Sequence, residues 1–185
     1  MRVVTFAGNL TYIDEVVEKN KVTDIYVDKS FHYPEGRELH ANGANVHLVD
    51  TGIPPSGIEV IYRRLRIAKM LLFILEDIHD NIFFVDSDVI VENMPPFEKF
   101  NNVTPLCIPA ILKPTTFVGE FCYPTTFYMP AEKHDQLEEV VKTYIENTMY
   151  VTDPVDIFIH SKMGSVPIRH PGVCHYIRGE KVCLR

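Results

Sequence analysis

The chain has 185 residues, 46% hydrophobic and 23% charged, an ordinary balance for a globular protein and long enough to bury one core. Its net charge of −7 gives no electrostatic footprint for DNA or RNA, so an anionic ligand would have to be met by local cations or a metal. No apolar run approaches the roughly 20 residues of a membrane span, and residues 1–5 start as a strand rather than a signal peptide, so the expected location is cytoplasmic.

Residues 2–7 read as a buried strand, broken by Gly8-Asn9. Thr11 is placed to cap a short helix to residue 19. Residues 24–28 form a second strand and 46–49 a third. The polar stretch 29–45 between them reads as a loop, and 51–57, with Pro54-Pro55, as a turn. Residues 58–78 are the clearest helix, because Leu65, Ala68, Leu72 and Leu75 recur at helical spacing. Arg63, Arg64, Arg66 and Lys69 cluster in its first half. A fourth strand spans 82–85, and Pro95-Pro96 ends the extended piece after it. Further strands are expected at 105–110 and 125–129, with a loop between them.

Residues 131–150 carry a second helical stripe of Leu137, Val140, Val141, Tyr144 and Ile145. A third helix opens at Asp153-Pro154-Val155-Asp156, where Asp153 suits the N-cap and Pro154 the first helical position. Late strands are expected at 166–168 and 174–177. Strands alternating with helices predict an α/β sandwich with a mainly parallel sheet. Cys107, Cys122, Cys174 and Cys183 form no CxxC pair and are expected as buried free thiols, with disulfides the alternative in an extracellular or hyperthermophilic setting.

The segment richest in chemistry is Phe83-Phe84-Val85-Asp86-Ser87-Asp88-Val89-Ile90-Val91. Side chains alternate along a strand, so Asp86 and Asp88 are expected on one side. Two like charges that close need a cation, a proton or a basic partner, and a hard divalent metal that also grips a diphosphate satisfies them. The alternative is a strand-end pair solvated in a loop.

Ile61-Tyr62-Arg63-Arg64-Leu65 followed by that strand and Asp-x-Asp resembles the GT-A fold glycosyltransferases, nearest in pattern to the glycogenin and bacterial galactosyltransferase-like group. The close match covers about a sixth of the chain. In size and style the chain is also similar to compact GT-A proteins of archaeal viruses, which would place it in the host cytoplasm. The resemblance implies a Rossmann-like three-layer sandwich over residues 1–185, with a nucleotide-binding half to about residue 91 and an acceptor and catalytic half from about 92. It implies a nucleotide-sugar donor, UDP-linked by default, and a carbohydrate or glycoprotein acceptor. It also implies Mn²⁺ or Mg²⁺ on Asp88, with Asp86 on the metal, the donor ribose, or both.

Cys174-His175-Tyr176-Ile177-Arg178-Gly179-Glu180-Lys181 is similar to the group's C-terminal signature, though its spacing differs by a residue and the Pro-Trp that often follows is missing. His175 is the expected third ligand, His170 its alternative, and Lys181 a phosphate contact. Arg63 or Arg66 is a candidate phosphate contact, with Lys69 less favoured; a solvated basic face is the competing reading. Thr5, Ala7, Asn9 and Asp28, at the ends of the first two strands, match the nucleoside-binding positions of the fold. Asp28 is as readily explained as a turn residue before Lys29-Ser30. Asp156 or Asp153, at a helix start after the central strands, is expected to face the reaction centre, with the helix dipole favouring the ionised form. Glu120, Tyr123, Thr125 and Thr126 occupy the acceptor region. Two other functions compete: a non-catalytic nucleotide- or sugar-binding module of the same fold, and a haloacid dehalogenase-type phosphatase.

Overall fold

The computed structural model describes residues 1–8, 10–30, 39–54, 60–111 and 118–185. The first half supplies β1 (Arg2–Phe6), α1 (Ile13–Asn20), β2 (Asp24–Asp28), β3 (Asn45–Val49), α2 (Val60–Asp77), β4 (Ile82–Val85) and β5 (Val89–Val91). The second supplies β6 (Thr104–Pro105), β7 (Ile108–Ile111), β8 (Val118–Phe121), β9 (Phe127–Met129), α3 (His134–Asn147), α4 (Val155–Met163), β10 (Val173–Ile177) and β11 (Glu180–Cys183). A six-stranded sheet runs β3-β2-β1-β4-β9-β6. Its first four strands are parallel, and β9 pairs antiparallel with both β4 and β6.

Alternation along these strands divides the core. Val3, Ile25, Phe83, Val85 and Tyr128 face a cluster with α1, β5 and β10. Val4, Tyr26, Ile82, Phe84, Phe127 and Met129 face α2, α3 and α4. Because both faces are covered, the central strands are apolar throughout rather than at every second residue. The result is the expected α/β three-layer sandwich with a mainly parallel central sheet.

A second sheet runs β11-β10-β5, and β7-β8 pair as a separate two-stranded sheet. The turn between β10 and β11 is Arg178-Gly179, both at positive φ (52° and 86°), as a tight two-residue hairpin connection requires.

Several expectations are corrected. The strand expected over 105–110 is two strands in different sheets, and 118–121 is strand rather than loop. β11 was not expected, and in 166–168 only Ile168 bridges, to Leu106. Thr125 and Thr126 precede β9 instead of opening it. Tyr12, not Thr11, occupies the cap position of α1. α4 begins at Val155 with Pro154 as its cap residue, so Asp153 is not the N-cap. The cysteines are not free thiols: Cys107 is bonded to Cys122 and Cys174 to Cys183. The expected helix start at Ile58 and the turn residues from Pro55 on lie outside the described residues. No helix among the described residues is long and apolar enough to cross a membrane.

Candidate active site

The two aspartates are not carried along one strand. β4 stops at Val85, and a turn closed by the Val89 N–H on the Asp86 carbonyl (3.1 Å) leads into β5. Asp86 therefore sits at the end of the large sheet and Asp88 at the start of the small one. The turn, rather than strand alternation, brings them near each other.

Each is held by its own sheet. The Asp86 N–H donates to the Thr126 hydroxyl (3.1 Å), while its carboxylate accepts from the Ser87 N–H (2.9 Å) and the Thr125 hydroxyl. The Asp88 carbonyl accepts from the Tyr176 N–H on β10 (3.0 Å). β10 pairs with β5 so that His175 lies opposite Val89, which puts the imidazole beside Asp88 with Nε2 3.4 Å from Oδ2. The Nδ1 of His175 lies 2.7 Å from the Pro109 carbonyl on β7. A carbonyl only accepts, so Nδ1 carries the proton and Nε2 is turned toward the carboxylate.

Burial, then the charge of Asp88, pushes the Asp86 carboxyl up from its ordinary range, against the hydrogen bonds of Thr125 and Ser87. Burial pulls the His175 ring down, but the hydrogen bond and charge of Asp88 outweigh it and the net shift is upward. The buried Asp86 carboxyl is thus crowded by the Asp88 charge, with His175 opposing. Two carboxylates and an imidazole with its far nitrogen tied to a carbonyl are a donor set that suits a divalent cation. His170 lies elsewhere, its Nε2 2.7 Å from the Asn93 carbonyl.

Asp156 enters from α4. Burial pushes its carboxyl up to about 6, with Asp86 adding repulsion and its own and the Ile157 N–H, together with Arg64, opposing. The helix N-terminus was expected to keep this residue a stronger acid, but burial wins. Asp153 is exposed, and its carbonyl accepts from the Tyr144 hydroxyl (3.1 Å).

The basic helix is divided differently from the sequence reading. Arg66 is buried; its Nε donates to Asp28 (2.9 Å), and its guanidinium also reaches the Ile53 and Pro54 carbonyls. Asp28 accepts besides from the Ser30 and Thr51 N–H groups and the Thr51 hydroxyl. The two residues are satisfied by each other and by the loops beside β2, a buried structural pair in place of the expected phosphate and base contacts. Lys69 donates to the Thr51 carbonyl (2.8 Å). Arg64, which the sequence did not single out, joins α2 to the lead-in of α4 through the Thr152 carbonyl (2.9 Å). Its charge reaches Asp156. Arg63 is exposed. Helical spacing marks related turns but not which arginine meets a neighbouring helix.

Other positions also change role. Thr5 is fully buried and donates to the Val85 carbonyl (2.8 Å), bracing the strand that delivers Asp86; Ala7 is buried beside it. Asn9 lies outside the described residues. Lys181 pairs with Glu92 (3.2 Å) on the face of β11 away from His175, so it is not a phosphate contact beside the turn. Thr125 and Thr126 hold Asp86, while Tyr123 is exposed next to them and Glu120 pairs with Arg169. Among the described residues, the two tight groups of potential metal-ligating atoms are Glu92 with Cys174 and Cys183, and Glu120 with Cys107 and Cys122; both spend their thiols in disulfides.

No protein-family model matches the chain. The fold is shared with the CTP:phosphocholine cytidylyltransferase of Streptococcus pneumoniae (TM-score 0.51, 8% identity, 94% of this chain and 92% of that one). It is shared also with a glycosyltransferase involved in glycosylating the major capsid of PBCV-1 (TM-score 0.50, 11% identity, 91% and 80%). At those identities the likeness establishes the GT-A-like fold. In sequence, the uncharacterized protein 209 of Sulfolobus islandicus rod-shaped virus 1 is 28% identical over 96% of this chain and 82% of its own length. The uncharacterized protein ORF238 of Acidianus filamentous virus 2 is 36% identical over 236 aligned positions, taking in 99% of both chains. The chain belongs to the viral protein family that contains ORF238.

Proposed function

We propose that this protein is a metal-dependent glycosyltransferase that moves a sugar from a nucleoside diphosphate, UDP by default, to a carbohydrate or glycoprotein acceptor. The observation that carries the reading is the Asp86-Ser87-Asp88 turn at the carboxyl end of β4, where open α/β sheets bind ligands, with His175 Nε2 3.4 Å from Asp88 and the charge of Asp86 reaching Asp156. Asp88 and His175 would hold Mn²⁺ or Mg²⁺, with Asp86, kept on Thr125, serving the metal, the donor ribose, or both. The bound metal would neutralise the diphosphate and stabilise the departing nucleoside diphosphate. Arg63 is the proposed phosphate contact on α2, and Tyr123 the proposed acceptor contact.

Asp156 supplies the group at the reaction centre. With a carboxyl raised to about 6 it is ionised at neutral pH yet basic enough to take a proton. In an inverting transfer it accepts the proton of the acceptor hydroxyl as that oxygen bonds to the anomeric carbon. The bond from that carbon to the diphosphate oxygen breaks, and its electron pair leaves with the nucleotide. In a retaining transfer the same carboxyl orients the sugar. The anomeric configuration of the product decides between them.

The test is thermal shift with UDP and GDP, with and without Mn²⁺, followed by donor turnover. A shift that needs Mn²⁺ and disappears in Asp88→Ala and His175→Ala is expected. No shift with any nucleoside diphosphate overturns the reading. Nucleotide binding without donor hydrolysis, unchanged in Asp156→Asn, indicates a non-catalytic module. Turnover of a generic phosphomonoester indicates a phosphatase.

A further inference from the structure

His160 is a buried imidazole that the proposed chemistry does not use. It lies on α4 one turn after Asp156, at 1% exposure, with its ring edge-on to Phe127 of β9 (5.3 Å). Nε2 is 3.1 Å from the Pro124 carbonyl and Nδ1 3.3 Å from the Ser165 hydroxyl. The carbonyl fixes the tautomer: Nε2 carries the proton and Nδ1 accepts from Ser165. Burial holds the ring well below the ordinary imidazole range, at about 4, so it is a neutral group at working pH.

Pro124 leads directly into Thr125 and Thr126, whose hydroxyls hold the Asp86 carboxylate and N–H. The Thr126 carbonyl is in turn tied to the Leu106 N–H (3.0 Å). One helix therefore carries both Asp156 and the imidazole that fixes the Asp86 clamp, and the charges of Asp86 and Asp156 act on each other. A buried imidazole N–H must find an acceptor, and here that acceptor is the residue that leads into the Asp86 clamp.

We infer that His160 is a positioning residue: its Nε2–H, through the Pro124 carbonyl, sets the Thr125-Thr126 clamp and with it the orientation of Asp86 relative to Asp156. For metal and donor binding this rests on the function proposed above; for the clamp itself it does not.

The experiment therefore has two readouts. The first needs no metal: the amide chemical shifts of Thr125 and Thr126 and hydrogen exchange at the Asp86 amide, in the full chain, for wild type, His160→Gln and His160→Phe. Gln keeps an N–H donor; Phe keeps an aromatic ring and removes the donor. The shifts and exchange should move in Phe and return toward wild type in Gln. The second is Mn²⁺ affinity by calorimetry. Loss of a direct partner of a metal ligand weakens binding about 10- to 100-fold; His160 acts one link further out, so the Phe variant should lose up to about 10-fold and Gln regain most of it. Ser165→Ala, which removes only the support of Nδ1, should shift both readouts in the same direction by less, and it serves if Phe fails to fold. Unchanged Thr125 and Thr126 amide shifts and Asp86 amide exchange in folded Phe, or in Ser165→Ala where Phe does not fold, overturn the inference. A wild type that binds no Mn²⁺ defeats the function proposed above, and the first readout still decides on His160.

Discussion

Asp156 shows how burial sets chemistry at a single residue. Its carboxyl is raised to about 6, above the ordinary aspartate range, so between roughly pH 4 and 6 the folded chain holds a proton that the unfolded chain has released. Stability from this group is therefore greatest below the unfolded value and is lost as pH rises through 6. Asp156→Asn should accordingly stabilise the protein at pH 7–8 by about 1–2 kcal/mol, after allowance for partial exposure, and by little below pH 4. If the carboxyl is the reacting base, the same change lowers turnover about 100-fold or more. Urea melts across pH and an assay on one preparation test both; a variant less stable at pH 8 refutes the burial argument. The buried pair Arg66–Asp28 makes the opposite case. Arg66→Ala leaves a buried carboxylate unpaired and should cost about 3–5 kcal/mol, whereas exposed Arg63→Ala should cost little. Thermal melts separate them, and Arg63→Ala should instead weaken donor binding. The sequence offered Arg63 and Arg66 as equals because composition records a charge but not its partner.

At the level of elements, the parts legible in the sequence were those with an unbroken physical signal. β2 and β4 are apolar runs buried on both faces, and α2 repeats its leucines at helical spacing. The strands missed were half exposed: β8 is Val-Gly-Glu-Phe and β11 is Glu-Lys-Val-Cys, and each gains its structure from a hairpin partner rather than from its own pattern. Those two hairpins, β7-β8 and β10-β11, meet where Pro109 holds His175, and a disulfide bonds each one: Cys107–Cys122 at the first and Cys174–Cys183 across the second. Removing a native disulfide costs about 2–5 kcal/mol in small domains, so reduction should lower the melting temperature and weaken Mn²⁺ binding together. Calorimetry with and without reductant, with thiol capture to count bonds, checks this; full Mn²⁺ affinity after complete reduction shows that the hairpins hold His175 unaided.

Across the whole molecule, the Asp-x-Asp motif spans the junction of two sheets, which no local pattern reveals. A strand continued through Asp88 and a turn that ends it at Val85 have nearly the same sequence signature. The choice is made by partners remote in sequence: β10, some 85 residues later, pairs with β5, and the Asn20 side chain of α1 holds the Val89 carbonyl and the Val91 N–H. A cation and nucleotide bound there would link the sheets, so Mn²⁺ with UDP should slow amide exchange at β4 and at β10 together. Protection at β10 alone would place the ligand on the small sheet only. The same arrangement has a consequence for biosynthesis. β5 finds its strand partner only after residues 173–177 have been made, so Asp88 and His175 cannot be brought together on a nascent chain still short of β10. A translation product stopped before residue 173 would carry Asp86 and Asp156 but not His175, and the site would exist only on chains whose synthesis had passed that point.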